Sequence, residues 1–167
     1  MEFRRQVCRT LHQDHLATLA LLARLESLLG RHGSGRPPDA ASPEIVRLLK
    51  ETVRAVEGEI GPHFAFEEES LFPLFVEAGE RDMGDYLLEE HRAILPLAQR
   101  LAQIARLALD AGFAAEIWAE FHETVAAFVE RLASHVEKEE GALLPALDDL
   151  LDEESDGRLA VDFAERR

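Results

Sequence analysis

The chain has 167 residues, 47% of them hydrophobic, and its 33 acidic and 18 basic side chains give a formal charge of −15. This length suits one domain with a substantial core. A surface so negative repels nucleic-acid phosphates and anionic lipids, so we expect neither nucleic acid nor a membrane as a partner. The single cysteine, Cys8, excludes a cysteine-rich metal site. No apolar run reaches the length of a membrane span, and we expect a cytoplasmic protein.

Four long segments show helical periodicity, and none shows the alternation of a strand. The first helix is predicted from about Phe3 to Leu29. Residues 31–41 are rich in Gly, Ser and Pro and indicate a loop, after which Ser42-Pro43 is typical of a helix start. The predicted core stripe of the first helix consists of Leu11, Leu19, Leu22, Leu25 and Leu29.

The second helix is predicted from there to about Glu77, and Gly61-Pro62 interrupts its pattern. A proline inside a helix either separates two shorter helices or introduces a kink, here one that would aim His63 inward. The third and fourth helices are predicted over 82–109 and 113–151. Short turns connect these segments, so the expected fold is all-α, an up-down-up-down antiparallel four-helix bundle over 1–151. We expect 152–167 to be a charged tail or a short helix.

One phrase, H-x3-E-E-x2-L-x-P, occurs twice, beginning at His63 and at His135. Each copy places an imidazole and a carboxylate, Glu67 or Glu139, four residues apart and therefore on one helix face. A single H-x3-E pair is a weak signal in so acidic a chain. The shared second Glu, Leu and Pro make the repeat informative.

The repeat extends upstream, because an acid-His pair occurs on the first helix (Asp14-His15) and on the third (Glu90-His91). Each half of the chain is therefore a helical hairpin of the same design. A pseudo-twofold axis relating the two hairpins would gather four imidazoles and two carboxylates. The six residues are His15, His63, Glu67, His91, His135 and Glu139.

These six polar side chains lie on the apolar faces of their helices, so they are predicted to point into the core. Buried carboxylates are costly unless a cation compensates them, and mixed imidazole and carboxylate ligands suit iron, zinc or manganese. Two ions of coordination number about five or six need roughly 10–12 ligand positions. Four imidazoles, two bridging carboxylates and one bridging solvent oxygen leave up to two of these positions open.

These motifs resemble those of the hemerythrin-like family, the HHE cation-binding domain, over residues 5–150. The resemblance implies two non-haem iron ions in the bundle core, bridged by Glu67 and Glu139 and by an oxo or hydroxo group. The histidines His15, His63, His91 and His135 would be terminal ligands. Zinc or manganese remain alternatives to iron.

Leu95 departs from the pattern of the oxygen-carrying members, which have a second histidine at that position. We therefore expect a protein that binds or senses a small ligand, such as O2, NO or iron itself, at an open position. The alternatives are a redox enzyme acting on peroxide or O2 and a structural zinc bundle. No motif indicates a catalytic triad or an organic cofactor, and the sequence leaves the oligomeric state open.

Four further residues near the site carry open alternatives. His12 is either an additional ligand or proton relay, or a histidine on the helix face. Glu68 and Glu140 either hold ligand imidazoles or are solvated. Tyr86 either lines the pocket or packs in the core.

Overall fold

The computed structural model describes residues 3–166, and within this range the chain is helical with no strand. The all-α prediction is confirmed, and the helices form a bundle. None of them is long and apolar enough to cross a membrane. The helices are α1 (Gln6–Arg31), α2 (Pro43–Ala55), α3 (Gly61–Phe66), α4 (Phe72–Glu77), α5 (Arg81–Ala111), α6 (Ala115–Lys138), α7 (Leu144–Leu150) and α8 (Glu153–Glu165).

Three π-helical turns join consecutive α-helices without a break. Val56–Ile60 and Glu67–Leu71 connect α2, α3 and α4 into one long helix, and Glu139–Leu143 joins α6 to α7. Each turn is followed by a proline at the second position of the next helix, namely Pro62, Pro73 or Pro145. A proline ring lacks an N–H and collides with the carbonyl four residues earlier. A widened turn relieves this conflict. Gly61-Pro62 therefore does not separate two helices, and a π-helical turn precedes it.

Proline alone does not determine this outcome, because Pro96 lies inside α5 with no π-helical turn. In the π-helical turns before Pro73 and Pro145, a backbone hydrogen bond spans five residues. The N–H of Phe72 donates to the carbonyl of Glu67, and that of Leu144 donates to the carbonyl of Glu139, each five residues earlier. The two predicted bridging glutamates therefore begin π-helical turns, which are frequent at functional sites.

The helix ends follow local chemistry. The Ser42 hydroxyl accepts from the N–H of Ile45 at 3.5 Å and caps α2, as predicted. Gly79 and Gly112 have positive φ angles of 89° and 79° and lie just beyond the ends of α4 and α5. These conformations favour glycine, which has no Cβ to clash.

Long helices pack in neighbouring pairs: α1 against α2 and α6, and α5 against α2 and α6. Their buried side chains form two separate apolar clusters. On α1, one cluster includes Leu11 and the other begins at Leu21; on α5, Leu87 and Ile94 likewise belong to different clusters. The interval between the clusters is where the predicted ligands lie.

The core stripe predicted for α1 is wrong at Leu19, which is 37% exposed. Leu29 is partly buried and packs against one of the apolar clusters. Leu21 and Leu28 are also buried, because α1 packs against both α6 and α2, and this widens its buried face. Tyr86 is 55% exposed, so it neither lines an internal pocket nor packs in the core.

The C-terminal helix α8 caps the start of α1. The helix α1 has no side-chain cap of its own, and the carboxylate of Asp156 accepts from the backbone N–H groups of Gln6 and Val7 at 2.8 and 2.9 Å. Asp148 accepts from the N–H of Arg5 at 2.7 Å. Two carboxylates distant in sequence thus satisfy donors that a helix leaves unpaired at its N-terminus, where negative charge is also favoured.

Replacing Asp156 by Ala should lower the free energy of unfolding by about 1 kcal/mol, the usual cost of losing an N-terminal cap. Urea denaturation would measure it. Glu153→Ala is the matched control, since Glu153 is an exposed acid in the first turn of the same helix. Equal destabilisation by both variants would show that lost charge, and not the cap, is responsible.

Candidate metal centre

The structure brings the six predicted residues together in the interval between the two apolar clusters. All six are buried, and the least buried, His63, is 7% exposed. They form two overlapping groups in which the potential ligand atoms of each group lie within 4.8 Å of one another. The groups share both glutamates and differ in their histidines.

The first group pairs His15 of α1 with His63 of α3. Their Nε2 atoms are 3.3 Å apart. The Nε2 of His15 lies 3.1 Å from Oε2 of Glu139, and that of His63 lies 3.2 Å from Oε1 of Glu67. Two nitrogen and two oxygen donors thus converge on one point.

The second group pairs His91 of α5 with His135 of α6, and their Nε2 atoms are 3.0 Å apart. The Nε2 of His91 lies 3.4 Å from Oε2 of Glu67, and that of His135 lies 2.9 Å from Oε1 of Glu139. The donor set therefore repeats that of the first group.

Each glutamate directs one oxygen to each histidine pair. Glu67 presents Oε1 to His63 and Oε2 to His91, and Glu139 presents Oε2 to His15 and Oε1 to His135. Despite these short distances, all four oxygens are buried without a partner in hydrogen-bonding geometry. Buried polar groups are rarely left in that state. The residues therefore fit a pair of cations that the carboxylates would bridge.

The outer nitrogen of each imidazole faces a further carboxylate. The Nδ1 atoms of His15 and His91 lie 2.6 and 2.8 Å from Glu140 and Glu68, the residues that follow the two central glutamates. This decides between the alternatives left open for Glu68 and Glu140: they hold imidazoles. Such contacts orient a metal ligand and raise its basicity.

The acid of each acid-His pair faces the histidine on the other helix of the same hairpin. Glu90 precedes His91 but accepts at 3.0 Å from His135, and Asp14 precedes His15 but lies 3.6 Å from Nδ1 of His63. The sequence predicted only that these acids adjoin a ligand histidine in the chain. Their role depends on which helix packs beside them, and no local pattern specifies that.

Aromatic rings cover the second group. Phe64 stacks on His91 with ring centroids 3.7 Å apart and an interplanar angle of 5°, and Phe72 lies at 5.5 Å from the same imidazole. Phe64 also meets His135 edge to face at 5.2 Å. His91 and His135 are both fully buried.

The first group borders a cavity of about 70 Å³. A cavity needs about 10–15 Å³ to hold one water molecule, so this cavity is large enough for a few molecules of that size. Its walls include His15, His63 and Glu139 from the centre. Its apolar walls include Ile60, Phe64, Leu132 and Val136.

The remaining candidates lie outside the two groups. His12 contacts Glu140 through Nδ1 at 2.8 Å, so it supports the carboxylate that holds His15. Leu95 packs against the larger apolar cluster and offers no donor atom. Lys138 lies over the ring of Tyr86 at 5.3 Å, on the surface.

The imidazoles and carboxylates of the centre shift each other's pKa values. Burial by itself lowers the pKa of an imidazole, but the carboxylates outweigh it. Glu139 and Glu140 raise the pKa of His15 to about 9, and Glu67 with Asp14 raises that of His63 to about 10. Burial acts to raise the pKa of Glu67, and Glu139 adds to this, yet the imidazoles bring its pKa below the usual value.

An all-helical bundle with a buried centre of four histidines and two glutamates defines a class of metal-binding protein. The family model of the hemerythrin HHE cation-binding domain matches residues 7–147, so the chain belongs to the hemerythrin family. No curated protein matches the chain. The helix α8 lies beyond the matched residues.

The metal-free protein should lose stability as the pH rises from about 6.5 to about 10, the interval between the ordinary and the raised pKa values of His63. In this interval the native state holds protons that the unfolded chain has released, so unfolding becomes easier with rising pH. Urea denaturation of the metal-free protein would measure this.

With metal bound the trend should reverse, because protons compete with the ion for the same imidazoles and the competition weakens as the pH rises. A metal-free protein that gains stability between pH 7 and 9 would contradict the assigned coupling.

Proposed function

We propose that this protein is a non-haem di-iron protein that binds or senses a small ligand, such as O2 or NO, at an open coordination position. His15 and His63 would hold one ion, and His91 and His135 the other. Glu67 and Glu139 would bridge them. Bound iron would supply the coordination position and the electrons that such ligands need.

One observation carries the proposal: four buried carboxylate oxygens have no hydrogen-bond partner, and each glutamate divides its oxygens between the two histidine pairs. A single ion at either pair would leave two of these oxygens without a partner. Two ions engage all four. The donor chemistry, two nitrogens and two oxygens for each ion, is one that iron accepts.

The donor count supports an open position. Six residues supply four nitrogens and four oxygens, and a bridging solvent oxygen would count once for each ion, so up to two of the roughly 10–12 positions of two ions with coordination number about five or six remain open. Leu95 provides none where a histidine would add one. The cavity beside His15 and His63 provides space for a ligand, and its lining combines apolar side chains with the acidic Asp14 and Glu59, which favours a small uncharged molecule over an anion.

The finer features of the fold belong to the same proposal. The short turns 78–80 and 112–114 before α5 and α6, and the pairing of α1 and α5 with α2 and α6, support an up-down-up-down four-helix arrangement with a pseudo-twofold axis. The single cysteine and the acidic surface support a cytoplasmic location.

Metal analysis combined with an optical spectrum tests the proposal. We expect two iron ions per chain and the charge-transfer bands of a bridged di-iron centre. Reversible uptake of O2 or NO without turnover would distinguish a binding protein from a redox enzyme. Tightly bound zinc, with no site for iron, would reject the proposal in favour of a structural bundle.

Replacing either Glu67 or Glu139 by Ala should abolish binding of the pair of ions and leave at most one ion per chain. Each carboxylate contributes an oxygen to both groups, so neither group is complete without it. Glu137→Ala is the control, since Glu137 is an exposed acid two residues before Glu139 and therefore lies on the opposite side of the helix. Retention of two ions by either bridging variant would refute the assignment of that glutamate.

A further inference from the structure

His63 differs from the other three imidazoles in the contact made by its outer nitrogen. The Nδ1 atoms of His15, His91 and His135 lie 2.6, 2.8 and 3.0 Å from a carboxylate oxygen. The corresponding distance from His63 to Asp14 is 3.6 Å, beyond a normal hydrogen bond. His63 is also the least buried of the four. Its outer carboxylate therefore restrains it least.

An aromatic ring packs against His63. Phe163 of α8 meets the imidazole edge to face, with ring centroids 5.6 Å apart and an interplanar angle of 83°. Phe163 is 1% exposed and packs on Phe66 at 4.6 Å. An edge-to-face pair in a packed core fixes the orientation of both rings.

The helix α8 is attached to the turn that carries Glu67. The Ser70 hydroxyl donates to Asp162 at 2.8 Å, and Arg166 pairs with Glu69 at 2.7 Å. Ser70 and Glu69 both lie in the π-helical turn Glu67–Leu71. Together with the Asp156 cap on α1, these contacts fix the position of Phe163 relative to the metal centre.

We propose that Phe163 is a positioning residue for His63 and that α8 thereby determines how firmly the ion on His15 and His63 is held. The inference rests on the proposed two-ion centre. A ligand held in its bound orientation loses little freedom when the metal binds, and groups behind the ligand commonly supply this restraint. The restraint acts on one ion, because Phe64 and Glu68 hold His91 on the other side.

The test uses the full-length protein loaded with two Co²⁺ ions and the rate at which EDTA removes each. Phe163→Ala should accelerate release of one ion about tenfold, at the low end of effects seen when groups behind a ligand are removed. The other ion should leave at the wild-type rate. Phe163→Leu keeps most of the volume and should give an intermediate rate, which provides a second variant if the alanine protein folds poorly.

Two controls separate positioning from general stability. Val161→Ala changes an apolar residue of the same helix that is 59% exposed, and it should leave both rates unchanged. Phe121→Leu weakens the larger apolar cluster, away from Phe163, and should lower thermal stability without selective release of one ion.

A spectroscopic readout completes the test. In the Co²⁺ protein, the paramagnetically shifted proton resonances of a single imidazole should move in Phe163→Ala and stay in place in Phe121→Leu. Unchanged rates, or equal acceleration of both ions, would overturn the inference while leaving the two-ion centre intact. A wild-type protein that fails to hold two ions would instead reject the proposed function.

Discussion

Two glutamates buried inside a helical bundle are the constraint on which the rest of this structure depends. Glu67 and Glu139 are 0% and 1% exposed, and their oxygens have no hydrogen-bond partner. An isolated buried carboxylate would take up a proton, because desolvation penalises its charge. Here four imidazoles hold the pKa of both groups below the ordinary value. The polar interior of the metal-free protein is therefore stable as a coupled unit of opposite charges, and bound cations would replace the imidazole protons as the positive charge.

The bundle accommodates this unit by dividing its core. Apolar packing is interrupted at the same level on the long helices, so each side of the centre has its own cluster. Outer carboxylates on Glu68, Glu90 and Glu140 then lie 2.6–3.0 Å from the buried imidazoles while remaining partly exposed. Part of the large negative charge of the chain thus has a structural role, because these three carboxylates surround the centre and orient its histidines.

The six central residues could be predicted because helical geometry is local: a four-residue spacing fixes a shared face, and the repeat indicates which faces meet. The roles of Asp14 and Glu90 could not, because each acts on a histidine of a neighbouring helix. Pro62 predicted an interruption but not a π-helical turn, and the regular geometry at Pro96 shows that the surroundings decide. The exposure of Leu19 and the docking of α8 likewise depend on long-range packing.

The two halves of the centre have the same donors yet different surroundings, and this difference cannot arise from the residues that the two phrases share. The shared four-residue spacing of His and Glu produces equal ligands, whereas the variable positions of the phrase and the unrepeated helix α8 shape the surroundings. Phe64 stacks on His91 and also lines the cavity beside the first pair, whereas its counterpart in the second copy, Val136, has no ring to stack on an imidazole. In the first pair, Phe163 of the additional helix α8 packs on His63. The two histidine pairs are therefore alike in their donor atoms and unequal in their surroundings: phenyl rings cover His91 and His135, whereas a cavity borders His15 and His63.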